Sequence, residues 1–207
     1  MLRNSKSRFE LTGGRLCLDL ANTLDDRPTN HPRSRLQSYA DFLTFGVETG
    51  ILSTREARKA ISSDANNLRD TARFYSRAIA LRERIFRIFC AAATKGKPVS
   101  EDILALNVDF RAANAHAVVL PKDGGFAWVW RDGKDVTGRL LWEITRSAID
   151  LLTSDDVKLV RHCAGHDCDW LFIDHSRSGN RRWCEMKTCG NRHKARMFYR
   201  RKTGRQS

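Results

Sequence analysis

Four cysteines near the C-terminal end of the chain constrain its fold more than any other feature. They form two pairs with the same spacing, Cys163 with Cys168 and Cys184 with Cys189, and fifteen residues separate the pairs. Two close pairs joined by a short arm are typical of a chain that wraps a tetrahedral metal, because each pair supplies one edge of the tetrahedron. The sequence therefore predicts one zinc ion per chain, bound by these four cysteines.

The predicted elements around the cysteines suggest how the metal is held. Strands are expected at residues 157–163 and 170–173, and a helix over 187–202 has Cys189 in its first turn. Ligands presented by a knuckle, a hairpin and a helix start predict a treble-clef-like zinc finger. A site of four thiolates is closed to water and substrate, so the zinc is expected to be structural. A module of about 50 residues has too small a core to fold alone, and the metal supplies the missing stability.

Three nearby histidines, His162, His166 and His175, are alternative ligands, and His166 is the best placed because it lies inside the first knuckle. Unligated buried cysteines are the other alternative. The two remaining cysteines, Cys17 and Cys90, lie among apolar residues and are predicted to be small buried fillers.

The expected compartment is a reducing one. Residues 1–12 are polar and charged, without the apolar run of a signal peptide. No stretch approaches the roughly 18 apolar residues of a membrane span. We therefore expect a cytoplasmic, nucleoid-associated protein without membrane contact, in which paired cysteines bind metal rather than form disulfides.

Positive charge is concentrated at the same end of the chain as the cysteines. The formal net charge is +13, and residues 158–207 carry 13 Lys and Arg against 4 Asp and Glu. This asymmetry is typical of a segment that binds a polyanion. A basic tail kept for solubility is the alternative, but it would not need the aromatic residues that alternate with the charges.

The first 155 residues are predicted to be mainly helical. Apolar residues recur at helical spacing, and the expected helices span 16–24, 35–49, a short segment after Ser53, 66–95, 100–116 and 138–152. Ser34 is the predicted N-cap of the second helix, and Ser53 with Glu56 predicts a capping box. Strands at 117–121 and 126–131, around Asp123-Gly124-Gly125, predict a β-hairpin.

The overall expectation is a mainly α protein in two parts. Residues 1–155 form a helical domain with a small β-hairpin, and residues 156–207 form the zinc finger, with the boundary at 153–156. Because the helical part has its own apolar stripes, metal removal is expected to unfold the finger and to leave most of the helical signal intact.

The last helix is predicted to bind nucleic acid. Arg192, Arg196 and Arg200 recur every four residues on one face, and residues 190–207 contain no acid to neutralise them. Ala195, Phe198 and Tyr199 cluster on a neighbouring face and are expected to pack the helix on the finger. The arm between the cysteine pairs is expected to add phosphate contacts through Arg177, Arg181 and Arg182. The full predicted interface is Arg177, Arg181, Arg182, Asn191, Arg192, Lys194, Arg196, Arg200 and Arg201.

Two stretches of the chain resemble known families. Asp174-His175-Ser176-Arg177, Arg181-Arg182-Trp183-Cys184 and Cys189-Gly190-Asn191-Arg192 resemble the CGNR zinc finger, and Gly13-Gly14-Arg15-Leu16-Cys17-Leu18-Asp19 with Asn22-Thr23 resembles the opening of the ABATE domain. The ABATE domain precedes CGNR fingers in bacterial proteins described as stress-induced transcription regulators. The resemblance implies zinc, DNA binding by the finger and a helical domain that senses a small molecule.

Polar residues in apolar settings mark a second candidate site. Arg82 interrupts the apolar stripe of the long helix, and Asp19 lies between Leu18 and Leu20. A buried charge costs several kcal/mol unless it is paired, so a buried Asp19–Arg82 ion pair is the first interpretation. In the second, Asp19, Asn22 and Arg82 line a ligand pocket. In the third, Arg82 extends to solvent.

The leading functional hypothesis is a transcription regulator that binds double-stranded DNA, with a helical domain that senses an unknown small-molecule effector or forms a homodimer. An RNA- or ribosome-associated zinc-finger protein is the alternative. An enzyme is not expected, because the sequence contains no nucleophile elbow, phosphate loop or open metal triad.

Overall fold

The architecture is mainly α-helical. A computed structural model describes residues 7–64, 67–131 and 135–204. Within these residues the α-helices are α1 (Leu16–Ala21), α2 (Tyr39–Glu48), α3 (Thr54–Asp64), α4 (Leu68–Ala93), α5 (Ser100–Asn114), α6 (Val136–Leu152) and α7 (Asn191–Lys202). Residue 66, the predicted start of the long helix, lies outside the described residues. Among the helices described, none has the length and apolar character needed to cross a membrane.

Three antiparallel strand pairs connect the helices. They are β1 (Leu24–Asp25) with β2 (Arg33–Ser34), β3 (Ala117–Lys122) with β4 (Gly125–Trp130), and β5 (Val160–His162) with β6 (Leu171–Ile173). The β3–β4 pair confirms the predicted hairpin. Its register pairs Lys122 with Gly125, and Asp123 and Gly124 between them both have positive φ, as a type I′ turn requires.

The helix starts show where local sequence decides the structure. The Ser53–Glu56 capping box is confirmed, because each residue's backbone N–H donates to the other's side chain. The predicted cap at Ser34 is wrong. Ser34 belongs to β2, and Ser38 caps α2 by accepting from the Asp41 N–H. The helix therefore begins four residues later than its apolar spacing indicated.

Helix α4 is the central element of the helical part. Its buried face, which includes Leu81, Ile85 and Phe89, packs against α1, α2, α5 and α6. The face recurs at steps of three and four residues, which places it on one side of the helix. The long stripe predicted from the sequence is thus the centre of the core.

The core does not stop at the predicted boundary of the helical part. Val160, Leu171 and Ile173, from hairpin β5–β6, belong to the same buried cluster as Leu18 and Phe89 of the helices. Main-chain bonds add to this contact, since the Ile173 N–H donates to the Gly13 carbonyl at 3.1 Å. Hairpin β5–β6 of the finger therefore packs into the same core as the helices, and we expect loss of the metal to disturb both.

Asn22 ties the two parts together. Its side-chain amide donates to the Leu171 carbonyl and its side-chain oxygen accepts from the Leu171 N–H, both at 2.8 Å. Asn22 is 2% exposed. Its side chain makes the pair of main-chain hydrogen bonds that a neighbouring strand would otherwise make with Leu171 of β6. A buried main-chain pair left without these partners would cost free energy. The structure therefore gives Asn22 a structural partner where the sequence suggested a pocket residue.

The predicted Asp19–Arg82 ion pair is wrong. Arg82 donates to Glu83 and to the Ser34 hydroxyl, each at 2.8 Å, and Asp19 accepts from the Gly13 N–H at 2.8 Å. Periodicity showed that both residues lie in apolar settings but could not show which partner each one meets. Since Asp19, Asn22 and Arg82 each have a different partner, their arrangement gives no support to the pocket they were expected to line.

We predict that Asn22→Ala lowers the free energy of unfolding by about 2–4 kcal/mol, because both Leu171 groups lose their hydrogen bonds inside the core. Chemical denaturation of the zinc-loaded protein measures this. Asn107, an exposed asparagine in α5, is the matched control, and Asn107→Ala should be nearly neutral. Equal effects of the two substitutions would contradict the bridging role of Asn22.

We predict that Asp19→Asn stabilises the protein at neutral pH. Burial raises the pKa of Asp19 to about 6, although the Gly13 N–H opposes this. Above pH 6 the ionised native carboxylate lowers stability, whereas below about pH 4 the group is protonated in both the folded and the unfolded state. The variant should gain about 1–2 kcal/mol at pH 7.5 and nothing near pH 3.5, by chemical denaturation at each pH. A gain that does not depend on pH would contradict this origin.

Candidate metal centre and nucleic-acid interface

The four cysteines reach one point from three elements. Cys163 follows β5 and Cys168 precedes β6, so the first pair lies in the knuckle at the tip of this hairpin. Cys184 ends the arm, and Cys189 lies in a π-helical turn, Met186–Gly190, that continues into α7. This arrangement of knuckle, hairpin and helix start is the one that the spacing predicted.

The sulfur positions fit a tetrahedral metal. All four Sγ atoms lie within 4.8 Å of one another. The Cys168–Cys184 sulfur distance is 3.8 Å and the Cys184–Cys189 distance is 3.7 Å. A tetrahedron with Zn–S bonds of about 2.3 Å has edges of about 3.8 Å. The cluster therefore matches one zinc ion bound by four thiolates.

The negative charges of four neighbouring thiolates also favour a bound cation. The Gly165 and Cys184 N–H groups point at the Cys163 sulfur, at 3.4 and 3.3 Å. The pKa of Cys163 is lowered, first by hydrogen bonds from the Cys168 and Cys184 thiols and also by these two N–H groups. The pKa values of Cys168 and Cys184 are raised, chiefly by their bonds to Cys163. Cysteine binds a metal as the thiolate, and a divalent cation stabilises all four thiolates together.

The backbone of the knuckle lies so close to the cysteine sulfurs that a side chain at Gly165 would have little space. A Cβ on Gly165 would lie 3.1 Å from the Cys168 Cβ and 3.2 Å from the Cys189 sulfur. Beneath the knuckle, Trp170 and Phe172 are buried against the cysteines. Glycine at this position therefore lets the backbone pass close to the cysteine sulfurs, and the aromatic residues pack beneath them.

The alternative ligands are engaged elsewhere. His162 bonds to Asp169 at 2.8 Å, and His166 bonds to Asp167. Among the residues described, the group that could hold a metal consists of the four cysteines. Cys17 is fully buried, as expected, and burial raises its pKa to about 12, whereas Cys90 is only partly buried.

The arm between the cysteine pairs is organised from inside. Asp174 is buried and accepts from Ser176 and from the Arg181 N–H. Although burial would raise its pKa, these bonds lower it. Arg181 donates to the Trp183 and Cys184 carbonyls and lies over the Phe172 ring. Arg181, predicted to contact phosphate, instead holds the last turn before Cys184.

The base of α7 rests on the knuckle through polar and aromatic contacts. The Arg196 guanidinium bonds to the Asp167 carboxylate, and the His193 ring lies 5.5 Å from the Trp183 ring. At about 100° per residue, Arg192, Arg196 and Arg200 fall on this inner side. The arginine row thus begins against the finger rather than on the free face of the helix.

The expected packing stripe of α7 is wrong. Phe198 and Tyr199 are exposed, and none of the twelve residues of α7 is buried. The wheel separated the faces correctly but could not show which face meets the finger. That choice depends on Asp167 and Trp183, which the sequence analysis did not assign. One feature of the sequence indicated the contact with Asp167. It is the acidic residue between Cys163 and Cys168, in the knuckle beside which the helix starts.

The remaining predicted interface residues lie on the surface. Arg177, Arg182, Asn191, Arg192, Lys194, Arg200 and Arg201 are exposed. Arg182 lies over the Trp183 ring at 5.2 Å, and the Asn191 amide donates to the Lys187 carbonyl at 3.1 Å. Lys187 is an exposed cation beside them that the sequence analysis did not single out. Exposed positive charge is therefore present both on the arm and along α7.

Comparison with known families agrees with both parts of the chain. Residues 14–155 match the profile of the ABATE family, described as "Putative stress-induced transcription regulator". Residues 160–202 match the CGNR zinc finger. A search of curated proteins found no match.

We predict near-stoichiometric zinc in the purified protein and its loss in Cys184→Ser, because three thiolates no longer close the tetrahedron. Elemental analysis measures both. Cys90→Ser is the matched control, since Cys90 lies outside the cluster, and it should keep its zinc. Full zinc content in Cys184→Ser would contradict the assignment of the ligands.

Proposed function

The chain belongs to the ABATE family and carries a CGNR zinc finger, and we propose that it is a transcription regulator that binds double-stranded DNA through α7. The family descriptions support a zinc-finger regulator. The DNA target, the contact residues and the sensing role are the parts that we propose.

The observation that carries the proposal is a helix with no buried residue and cations but no acids. Helix α7 has six Arg and Lys among its twelve residues, and none of the twelve is buried. A helix of this length is only marginally stable by itself in water. Burial of an apolar face does not explain why α7 forms, because none of its residues is buried. Helix α7 starts at the zinc site, which holds its first turn in place, and the rest of its exposed surface is cationic. Such a helix is suited to enter the groove of a polyanion such as DNA.

The dimensions of α7 fit a DNA groove. Twelve residues span about 18 Å, and the major groove is about 12 Å wide. The exposed Arg177 and Arg182 of the arm, together with Lys187 before α7, would reach the flanking phosphates. Arg192, in the first turn, is our choice for reading base edges, since the first turn of a recognition helix often enters the groove.

Asp167 modulates this interface in our proposal. In the part of the chain that the structure describes, Asp167 is the acid paired with a cation of α7, through Arg196. A surface pair of this kind contributes little to stability because solvent screens it. DNA phosphate therefore competes with Asp167 for Arg196, and Arg196 is only partly available to DNA in the free protein.

The helical part is proposed to sense an effector. A small cleft of about 80 Å³ between α4, α5 and α6 is lined by Arg77, Arg84, Asp109 and Trp142 among others. Arg84 is paired with Asp109, so Arg77 is the cation of this cleft that could meet a small anionic group. Because α4 and α6 also contact the elements that lead into the finger, an effector or a homodimer contact there could alter the finger.

An RNA-associated role is the second candidate. The aromatics beside the cysteines, Trp170 and Phe172, are buried, so they cannot form the open stacking sheet on which many RNA modules depend.

We also propose that the chain is not an enzyme, because four thiolates leave the metal no open position.

We predict that binding to a random duplex falls with salt at a slope of about −0.9 per phosphate contacted. Arg200→Ala should weaken binding to all sequences and reduce the slope by about one. Asp167→Asn should do the opposite, strengthening binding and increasing the slope, because it frees Arg196. Fluorescence anisotropy across a salt series measures both.

Two controls accompany this prediction. Arg73, an exposed arginine of α4, provides a matched charge removal far along the chain, and Arg73→Ala should leave affinity and slope unchanged. Parallel measurements with a duplex RNA identify the RNA alternative. If Arg192→Ala, Arg200→Ala and Asp167→Asn all bind duplex DNA as the wild type does, α7 is not the DNA-binding element.

A further inference from the structure

Two adjacent aromatic side chains of α7 stand in solvent. Phe198 is 63% exposed and Tyr199 is 64% exposed. Their rings contact each other edge to face, with 5.9 Å between the centroids. Together they form an aromatic surface, which we call the Phe198–Tyr199 pair, in the second half of the helix.

The pair is not explained by the fold of the residues described. The inner side of α7 is occupied by His193 and Arg196, which contact Trp183 and Asp167. On the helical wheel, Phe198 points away from that side, and Tyr199 lies at its edge, where its ring remains exposed. Leaving two aromatic side chains in water forgoes a burial free energy of roughly 1.5–3 kcal/mol each. A surface of this kind usually marks a binding site.

The charges around the pair indicate its occupant. Lys194, Arg200, Arg201 and Lys202 flank the two rings, and residues 190–207 contain no acid. This density of positive charge repels basic partners and attracts polyanions. Among polyanions, nucleic acids also present flat π-faces, and stacking of a base on an aromatic ring suits any base.

Two other occupants fit less well. An anionic membrane would need a wider apolar face, whereas the face of α7 that holds the pair adds only Ala195, and Met197 lies on another side of the helix. A second copy of this chain would bring α7 against α7 or another basic surface, since the net charge is +13. Both remain outcomes of the test below.

We infer that the Phe198–Tyr199 pair stacks on unpaired or partly unstacked bases, so that the finger prefers melted or single-stranded DNA segments to a perfect duplex. This inference rests on the proposed DNA binding and adds a base-stacking contact to it. Stacking gives little sequence preference. Taking a base out of the stack costs least where it is mismatched or already single-stranded.

The test compares three labelled DNA probes of the same length with the zinc-loaded full chain. They are a perfect duplex, the same duplex with an internal mismatch bubble, and its single strand. The wild type should bind the bubble and the strand more tightly than the duplex. Phe198→Ala and Tyr199→Ala should each weaken binding to the bubble and the strand by about 5–100-fold. The salt slope should not change, because no charge is removed.

Matched variants separate stacking from apolar contact. Phe198→Tyr and Tyr199→Phe keep a ring and should bind like the wild type. Phe198→Leu keeps an apolar side chain without a π-face and should weaken binding nearly as much as Phe198→Ala. Quenching of 2-aminopurine placed in the bubble gives an independent signature of stacking, and it should disappear in the alanine variants. Zinc content and helical circular dichroism should be unchanged, since both rings are exposed.

The outcomes are distinguishable. If the double variant Phe198→Ala/Tyr199→Ala binds all three probes normally while Arg192→Ala binds weakly, the stacking inference is overturned and the DNA-binding proposal stands. If the wild type binds none of the probes, both fail. If the alanine variants convert a dimer to a monomer in sedimentation, or abolish binding to vesicles containing phosphatidylserine without changing DNA binding, the pair is a protein or a lipid contact and the inference is overturned.

Discussion

Hairpin β5–β6 is the constraint on which the rest of the structure depends, because its two faces belong to different clusters. Strand side chains alternate between faces, so Leu171 and Ile173 enter the helical core while Phe172 and Trp170 lie against the cysteines. The same few residues therefore support the helices on one side and the metal centre on the other. We therefore expect a change in the metal centre to reach the helices through the backbone of this hairpin.

The metal centre in turn sets the position of the basic helix. Cys189 lies in the turn that leads directly into α7, so the zinc geometry fixes where the helix begins. On the other side of the hairpin, Asn22 holds β6 to the end of α1, and the Trp170 indole donates to the Leu24 carbonyl at 3.3 Å. A chain of contacts thus runs from the helical core through β6 and the cysteines to α7. In the function proposed above, this is the route by which an effector bound among the helices would change DNA binding.

The sequence predicted what local spacing determines and missed what tertiary contacts determine. Cysteine spacing predicted the metal cluster, and turn and capping chemistry predicted the β3–β4 hairpin and the Ser53–Glu56 box. Periodicity separated the faces of α7 but could not tell which one meets the finger, because the deciding contacts, to Asp167 and Trp183, come from other segments. The same reason explains the Asp19–Arg82 error: two residues in apolar settings need not meet. Most of the fold and the metal site were therefore predictable, whereas the orientation of the basic helix α7 was not.

Hydrogen exchange of the zinc-loaded and zinc-stripped protein, followed by mass spectrometry, tests the central claim most directly. If the metal supports both parts through hairpin β5–β6, its removal should increase exchange at residues 160–173 and also in α1 and the adjoining turn of α4, which pack against the hairpin. The distal hairpin β3–β4 should keep its exchange rate. Faster exchange confined to residues 174–204, with α1 and β6 unchanged, would contradict the claim that the finger and the helices share one core.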